Sequence, residues 1–287
     1  MITELFLDRL AAGTPEERIE VIAPLARAYL CPELGSLARG EIAAGFVGLL
    51  GDPDPRVRRA LAEALADAED APHHLVSALA FDQINVAAPV LRRSSVLTDH
   101  ELVELIGEGQ GGVQMAVAGR QPLSAAVAAA LVEIGDANIC RRLLSNPGAR
   151  ILPVSLARMA ERHSAHPALR AELLARGDLP VPVRQGLTLV LAEALCENGL
   201  FQAVVPEMRA RRLMRECCDQ ATVDLAGACA DGGRRALIAH PNCTGHMTPG
   251  LLLRARVHGH VAVFIDTLAR LSGLPPKRAA RLAGHGA

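Results

Sequence analysis

"VAAPVLRRSSVLTDHELVELI", residues 86–106, places a proline inside an apolar run, then two arginines, two serines and a compact helix-start signal. Thr98 followed by Glu101 makes a capping box, in which each side chain satisfies a backbone amide left without a partner at a helix N-terminus. Leu97 and Leu102 stand at the two positions of a hydrophobic staple. The spacing predicts a helix opening at Asp99, with Leu102, Leu105 and Ile106 on one face and Gly107 as a left-handed C-terminal residue. Pro89 has no amide hydrogen and collides with the carbonyl four residues back, costing about 3 kcal/mol inside a regular helix. It therefore predicts a kink or a late start in the preceding helix, and "RRSS" becomes a joint. Ser94, Ser95, Asp99 and His100 do not make a hydrolase triad, which needs a base held by an orienting acid in a strand-supported site.

The same punctuation recurs outward from this joint. Helix starts fall at 72, 98, 124, 153 and 180, in steps of 26, 26, 29 and 27 residues. Each is a proline or a capping hydroxyl: Pro72, Thr98, Ser124, Pro153 and Pro180. Second helical pieces lie between the starts, with Asp82 and Asp136 as their expected caps. Upstream, Thr14 with Glu17 forms another capping box with Pro15 at the first helical position, and Pro24 predicts another kink. Asp54 caps a helix in which Val57, Leu61 and Leu65 recur every four residues. The period blurs through residues 183–235, where longer helices are expected, and "GEGQGGV" at 107–113 reads as a linker. A helix pair of under thirty residues cannot bury its apolar face alone, so neighbours must stack. The expected fold is all-α, a right-handed α-α superhelix of short antiparallel pairs. Residues 1–190 form the HEAT-like repeat region and 191–287 an irregular helical region continuous with it.

Composition agrees with closely packed helices. Half of the 287 residues are apolar but only 2% are aromatic, with no Trp and one Tyr, so the core is built from Ala, Leu, Val and Ile, of which Ala and Leu are strong helix formers. No stretch approaches the length of a membrane span, and Glu4 and Asp8 stand early, unlike a secretory signal. That reading expects a cytoplasmic protein. The seven cysteines are irregularly spaced, and most are expected to be buried small apolar side chains. Residues 1–150 carry 13 basic and 20 acidic side chains, and residues 151–287 carry 17 and 11, so the balances are −7 and +6.

Three segments, "LLGDPDPRVRRALAEALAD", "APVLRRSSVLTDHELVELI" and "FIDTLARLSGLPPKRAARL", resemble a mainly alphaproteobacterial family known as domain of unknown function 2336. The resemblance covers most of the chain and implies HEAT-like helical repeats. It brings no activity, ligand or catalytic residue with it. "HPNCTGHM" and "HGH" stand apart from the family's pattern.

Those last two stretches hold the candidate metal ligands His240, Cys243, His246, His258 and His260, since imidazole and thiolate bind zinc. Their spacing lacks the two tight pairs of a structural zinc site. Cys217 and Cys218 are adjacent and point about 100° apart on a helix; Arg212 and Arg215, if close, would lower a thiol pKa. Arg209, Arg211, Arg212, Arg215, Arg234, Arg235, Arg254 and Arg256 are the candidate partner-binding residues. They suit phosphate or an acidic protein surface, although the chain lacks the aromatic platforms of base-flipping and single-strand-binding proteins. No nucleophile elbow, phosphate loop or dinucleotide fingerprint is present. The sequence therefore leads to a non-enzymatic, cofactor-free scaffold or regulatory adaptor that binds another protein, with no membrane partner and with head-to-tail self-association suggested by the opposite charges. The alternatives are a nucleic-acid binder using the basic C-terminal face and a metal-binding protein using the His/Cys cluster.

Overall fold

The helix-start signals open helices because their hydrogen bonds close within four residues. Thr98 Oγ1 accepts from the Glu101 amide while Glu101 accepts from the Thr98 amide at 2.9 Å. Thr14 and Glu17 repeat the device, and Asp54, Ser124 and Asp136 each cap as expected. The structure is a computed structural model describing residues 8–31, 33–239 and 249–284. All described secondary structure is helical apart from one isolated bridge between Leu123 and Ala149. No helix among the described residues is long and apolar enough to cross a membrane.

The chain divides into two compact units, residues 1–155 and 156–287. The sequence expectation instead divided the chain where the repeat period fades, at 190/191. Unit 1 contains α1 (Pro15–Tyr29), α2 (Ser36–Leu50), α3 (Pro55–Leu65), α4 (His73–Ala80), α5 (Ile84–Arg93), α6 (Asp99–Glu108), α7 (Gly111–Ala118), α8 (Ala125–Ile134) and α9 (Ala137–Leu144). Its helices pack in alternation: α1, α3, α5, α7 and α9 stack successively in one row, while α2 lies on α4 and α6 on α8 in another. Between the rows lies the core, where Ile22, Leu25, Phe46, Leu61, Leu75, Leu91, Ile106 and Leu131 are almost completely buried. Unit 2 contains α10 (Pro153–His163), which opens just before the division, then α11 (Pro167–Ala175), α12 (Val181–Cys196), α13 (Gly199–Val204), α14 (Glu207–Ala228), α15 (Asp231–Ala239), α16 (Pro249–Val257), α17 (Val261–Ser272) and α18 (Pro276–Leu282). Longer helices do appear where the period fades: α12 has 16 residues and α14 has 22. Val223, Ala226, Leu237, Leu251, Ala255 and Val263 form a core shared by α14 to α17.

Three local expectations are corrected and one is narrowed. Helix α5 begins at Ile84, so Pro89 marks no late start; it lies inside the helix, as Pro24 does in α1, the position at which a kink was expected. Asp82 is not the cap of α5; Gln83 occupies that position without a side-chain bond, because Asp82 is held from outside by Arg58. Gly107 is helical; α6 ends at Gly109 with φ −78°. Gly109 is still required, since a Cβ there would lie 2.4 Å from the Leu105 carbonyl oxygen. "GEGQGGV" is only briefly a linker, because α7 begins at Gly111 and Gly112 lets it approach Ile84, 3.1 Å from where a Cβ would stand.

Within each unit, helices are tied by polar side chains that reach back to helix-end carbonyls. Arg58 donates to the Asp52 carbonyl at 2.5 Å and grips the Asp82 carboxylate with two nitrogens at 2.6 and 3.0 Å. Arg120 donates to the carbonyls of Leu91 (3.4 Å) and Ser94. Asn146 donates to those of Ala118 and Arg120 at 2.9 and 2.7 Å. In unit 2, Arg170 donates to the Ser164 carbonyl, and Arg184 to those of Leu174 and Arg176. A planar guanidinium fork suits this task, since it presents several donors in fixed directions.

The Arg58 hydrogen bonds hold the Asp82 carboxyl below its ordinary value, against the opposing effect of partial burial. A depressed native pKa contributes stability that is complete above the unfolded-state value of about 3.9 and is lost as pH falls through the native value. Asp82→Asn is expected to lower stability at neutral pH by about 1–2 kcal/mol and to flatten the acid limb of the stability profile below about pH 4. Urea titrations at stepped pH check this; an unchanged acid limb would show that the pair contributes nothing.

Candidate functional site

In unit 2, "CENGLFQAVVPEMRARRLMRECC" builds an exposed corner. Helix α12 ends at Cys196, and the Asn198 side chain then caps α13 by accepting from the amides of Leu200 and Phe201 at 3.0 and 3.3 Å. Gln202 donates back to the Cys196 carbonyl at 2.9 Å, and Pro206 stands at the N-cap of α14. The corner is locally well tied but has little beneath it. Helix α13 buries none of its residues, and Leu200, Val204 and Met208, four residues apart, are 83%, 82% and 82% exposed. Scattered apolar side chains on a surface are ordinary; here three large ones share one corner.

Beside the corner, α12 and α14 enclose a cleft of roughly 380 Å³. Half-buried Leu189, Cys196, Met214 and Cys218 and exposed Glu193 and Arg215 are among the residues that line it. Burial pushes the Cys218 thiol up, and neighbouring Cys217 and Asp219 push it further. The condition for activation by Arg212 and Arg215 is not met: desolvation dominates, and Arg212 is engaged by Glu216 at 3.1 Å. At neutral pH Cys218 stays a protonated thiol, a poor nucleophile and a poor metal ligand. The expectation that most cysteines are buried is corrected: among those in the described residues only Cys140 is buried, Cys31 and Cys217 are exposed, and Cys196, Cys218 and Cys229 are half-buried, because they lie on or just past thinly covered helices.

The candidate arginines separate into distinct roles. Arg209, Arg211, Arg212 and Arg215 are exposed along the first turns of α14, where Ala210 is buried. Arg211 pairs with Glu207 at 2.7 Å, so part of this charge is compensated within the helix. Arg234 is buried and joins α15 to α17 through Asp266 at 2.7 Å, with Asp231 at 2.8 Å; it is a structural strut and not a partner-facing charge. Arg235 and Arg256 are exposed and Arg254 is half-buried.

His240, Cys243 and His246 lie outside the described residues. His258 is exposed, and His260 lies 4.0 Å from Asp224, its ring so close to α14 that a Cβ on Gly227 would fall 2.2 Å from Nδ1. Among the described residues no group of three His, Cys, Asp or Glu side chains is placed to hold a metal ion. At the opening joint, Ser94 is buried and its Oγ accepts from the Val96 amide at 3.3 Å, while exposed His100 lies 3.7 Å from Glu104. These residues do not converge on a substrate position.

The exposed corner was the feature hidden from sequence reading. "GLFQAV" between a capping Asn and a proline has the composition of a buried helix, and only its lack of neighbours distinguishes it. A bacterial family model, described as an uncharacterised protein conserved in bacteria (DUF2336), matches residues 86–286. The chain belongs to this family. The DUF2336 match begins inside α5 and takes in the whole exposed corner, leaving α1 to α4 outside it. No curated protein and no solved structure matches the chain.

Proposed function

We propose that this DUF2336 chain is a non-enzymatic, cytoplasmic adaptor of helical-repeat type that binds another protein through α13 and the first turns of α14. One observation carries the reading: α13 is apolar yet buries none of its residues, leaving Leu200, Val204 and Met208 more than four-fifths exposed. An isolated six-residue helix is not stable in water on propensity alone, so a covering partner supplies the burial that the chain itself does not. The polar surround of Arg209, Arg211 and Arg212 gives the rim that protein interfaces place around an apolar centre. The alternate-row stacking of unit 1 supports the HEAT-like part of the reading, because stacked pairs present extended surfaces to partners.

The test is site-specific crosslinking. A photoreactive residue at Met208 of the full chain is expected to capture a discrete protein from extract of the native bacterium. Leu200→Asp/Val204→Asp, on an exposed helix and so neutral for the fold, should abolish that capture with an unchanged circular dichroism spectrum and melting midpoint. Capture that survives the double substitution, or that is replaced by crosslinking to nucleic acid, would overturn the proposal.

A further inference from the structure

The formal charges divide where the fold divides. Residues 151–155 carry no charge, so the balances of −7 and +6 belong to the two compact units meeting at Ser155 and Leu156. A two-fold symmetric pairing of two copies through one unit would set like charge on like. A heterologous contact sets the acidic unit of one copy against the basic unit of the next.

Unit 1 also carries an apolar face that suits the exposed corner of unit 2. Helix α2 buries Ile42, Phe46 and Leu49 on one side. Its other side exposes Leu37, Gly40, Ala44, Val47 and Gly48 at helical spacing, with Leu37 79% and Val47 49% exposed. Side chains added at Gly40 or Gly48 would meet nothing within 4 Å. The stripe is therefore low and open, the relief into which protruding side chains of a second helix fit. Positions four residues apart rise about 6 Å along a helix, so the Leu200–Val204 spacing matches that of Gly40 to Ala44 and of Ala44 to Gly48. Exposed Glu33 and Glu41 flank the stripe, while the corner carries exposed Arg209, Arg212 and Arg215 together with exposed Glu193, Glu197 and Glu207, so the opposition of sign rests on the overall balances of the two units.

We propose that the chain self-associates head to tail, the α13–α14 corner of one copy docking on the α2 face of the next. The inference rests on the reading of that corner as a protein-binding surface and names its occupant, a second copy of this chain. Because the two faces differ, each copy keeps one free face after a single contact, and the association either closes, as a reciprocal dimer or a larger ring, or extends as an open chain. Screening by salt weakens the charge complementarity and shifts the equilibrium towards monomer.

The experiment measures the mass of the full chain by sedimentation velocity at low and high ionic strength, with two variants of exposed residues, Leu200→Asp/Val204→Asp and Ala44→Arg. Wild type is expected above monomer mass at low salt and to fall towards monomer as salt rises. Each variant alone is expected at monomer mass with an unchanged melting midpoint. An equimolar mixture of the two variants is expected to recover a dimer and nothing larger, because only one intact corner and one intact stripe remain. A wild type that is monomeric at every salt concentration overturns the proposal, as does an oligomer that both variants retain. So does a monomer that binds anionic lipid vesicles through Leu200 and Val204. Crosslinking of a different protein at Met208 alongside a monomeric wild type would leave the adaptor reading standing and remove this one; failure of both measurements removes both.

Discussion

Leu61→Ala is expected to destabilise unit 1 by about 3–4 kcal/mol and to lower its thermal midpoint by on the order of 10 °C. Leu61 is completely buried in α3, the helix that packs against α1, α2, α4 and α5. Removing its isobutyl group deletes transfer free energy and leaves a cavity between elements fixed by their other contacts, so the site collapses poorly. Chemical and thermal unfolding of the full chain, followed by circular dichroism, reads the loss. Val154→Ala, on the 70% exposed position at the start of α10, is the control and is expected to change stability by less than about 0.5 kcal/mol. If Leu61→Ala costs less than about 1 kcal/mol, α3 is not the centre of a packed stack.

Arg120→Met tests the polar ties in the same way, with an expected loss of about 2–4 kcal/mol. Two effects oppose one another. Arg120 is buried, and burial pulls its pKa below the ordinary guanidinium value, partly offset by Asp99. An apolar replacement removes that desolvation cost. It also strands the carbonyls of Leu91 and Ser94, which accept from the guanidinium. Each stranded buried acceptor costs about 1–3 kcal/mol, so the loss of two outweighs the desolvation gained. Arg120→Lys is expected to fall between, since an ammonium keeps the charge without the planar fork. Equal stability of Arg120→Met and wild type would show that these carbonyls find water instead.

Helix starts were legible from sequence because their chemistry is local. Thr98 with Glu101, Thr14 with Glu17, Ser124 and Asp136 bond to amides within three residues, and nothing distant competes. Asp82 failed as a cap for the converse reason: Arg58, 24 residues away, takes its carboxylate. The linker reading of "GEGQGGV" failed because packing of Gly112 against Ile84 makes a helix there favourable despite glycine's poor propensity. Arg234 read as a surface charge until Asp266, 32 residues later, was placed against it.

The sequence by itself therefore determined an all-α chain, the positions where about half of the described helices begin, the apolar side of several, and the split of charge. Capping and periodicity act over one to four residues, and charge is counted without coordinates. Tertiary structure alone decided which polar groups serve the fold, which thiol is silenced by burial, and that α13 lies uncovered. These depend on which neighbours reach each residue from elsewhere in the chain, and exposure is a relation between segments that no single segment encodes.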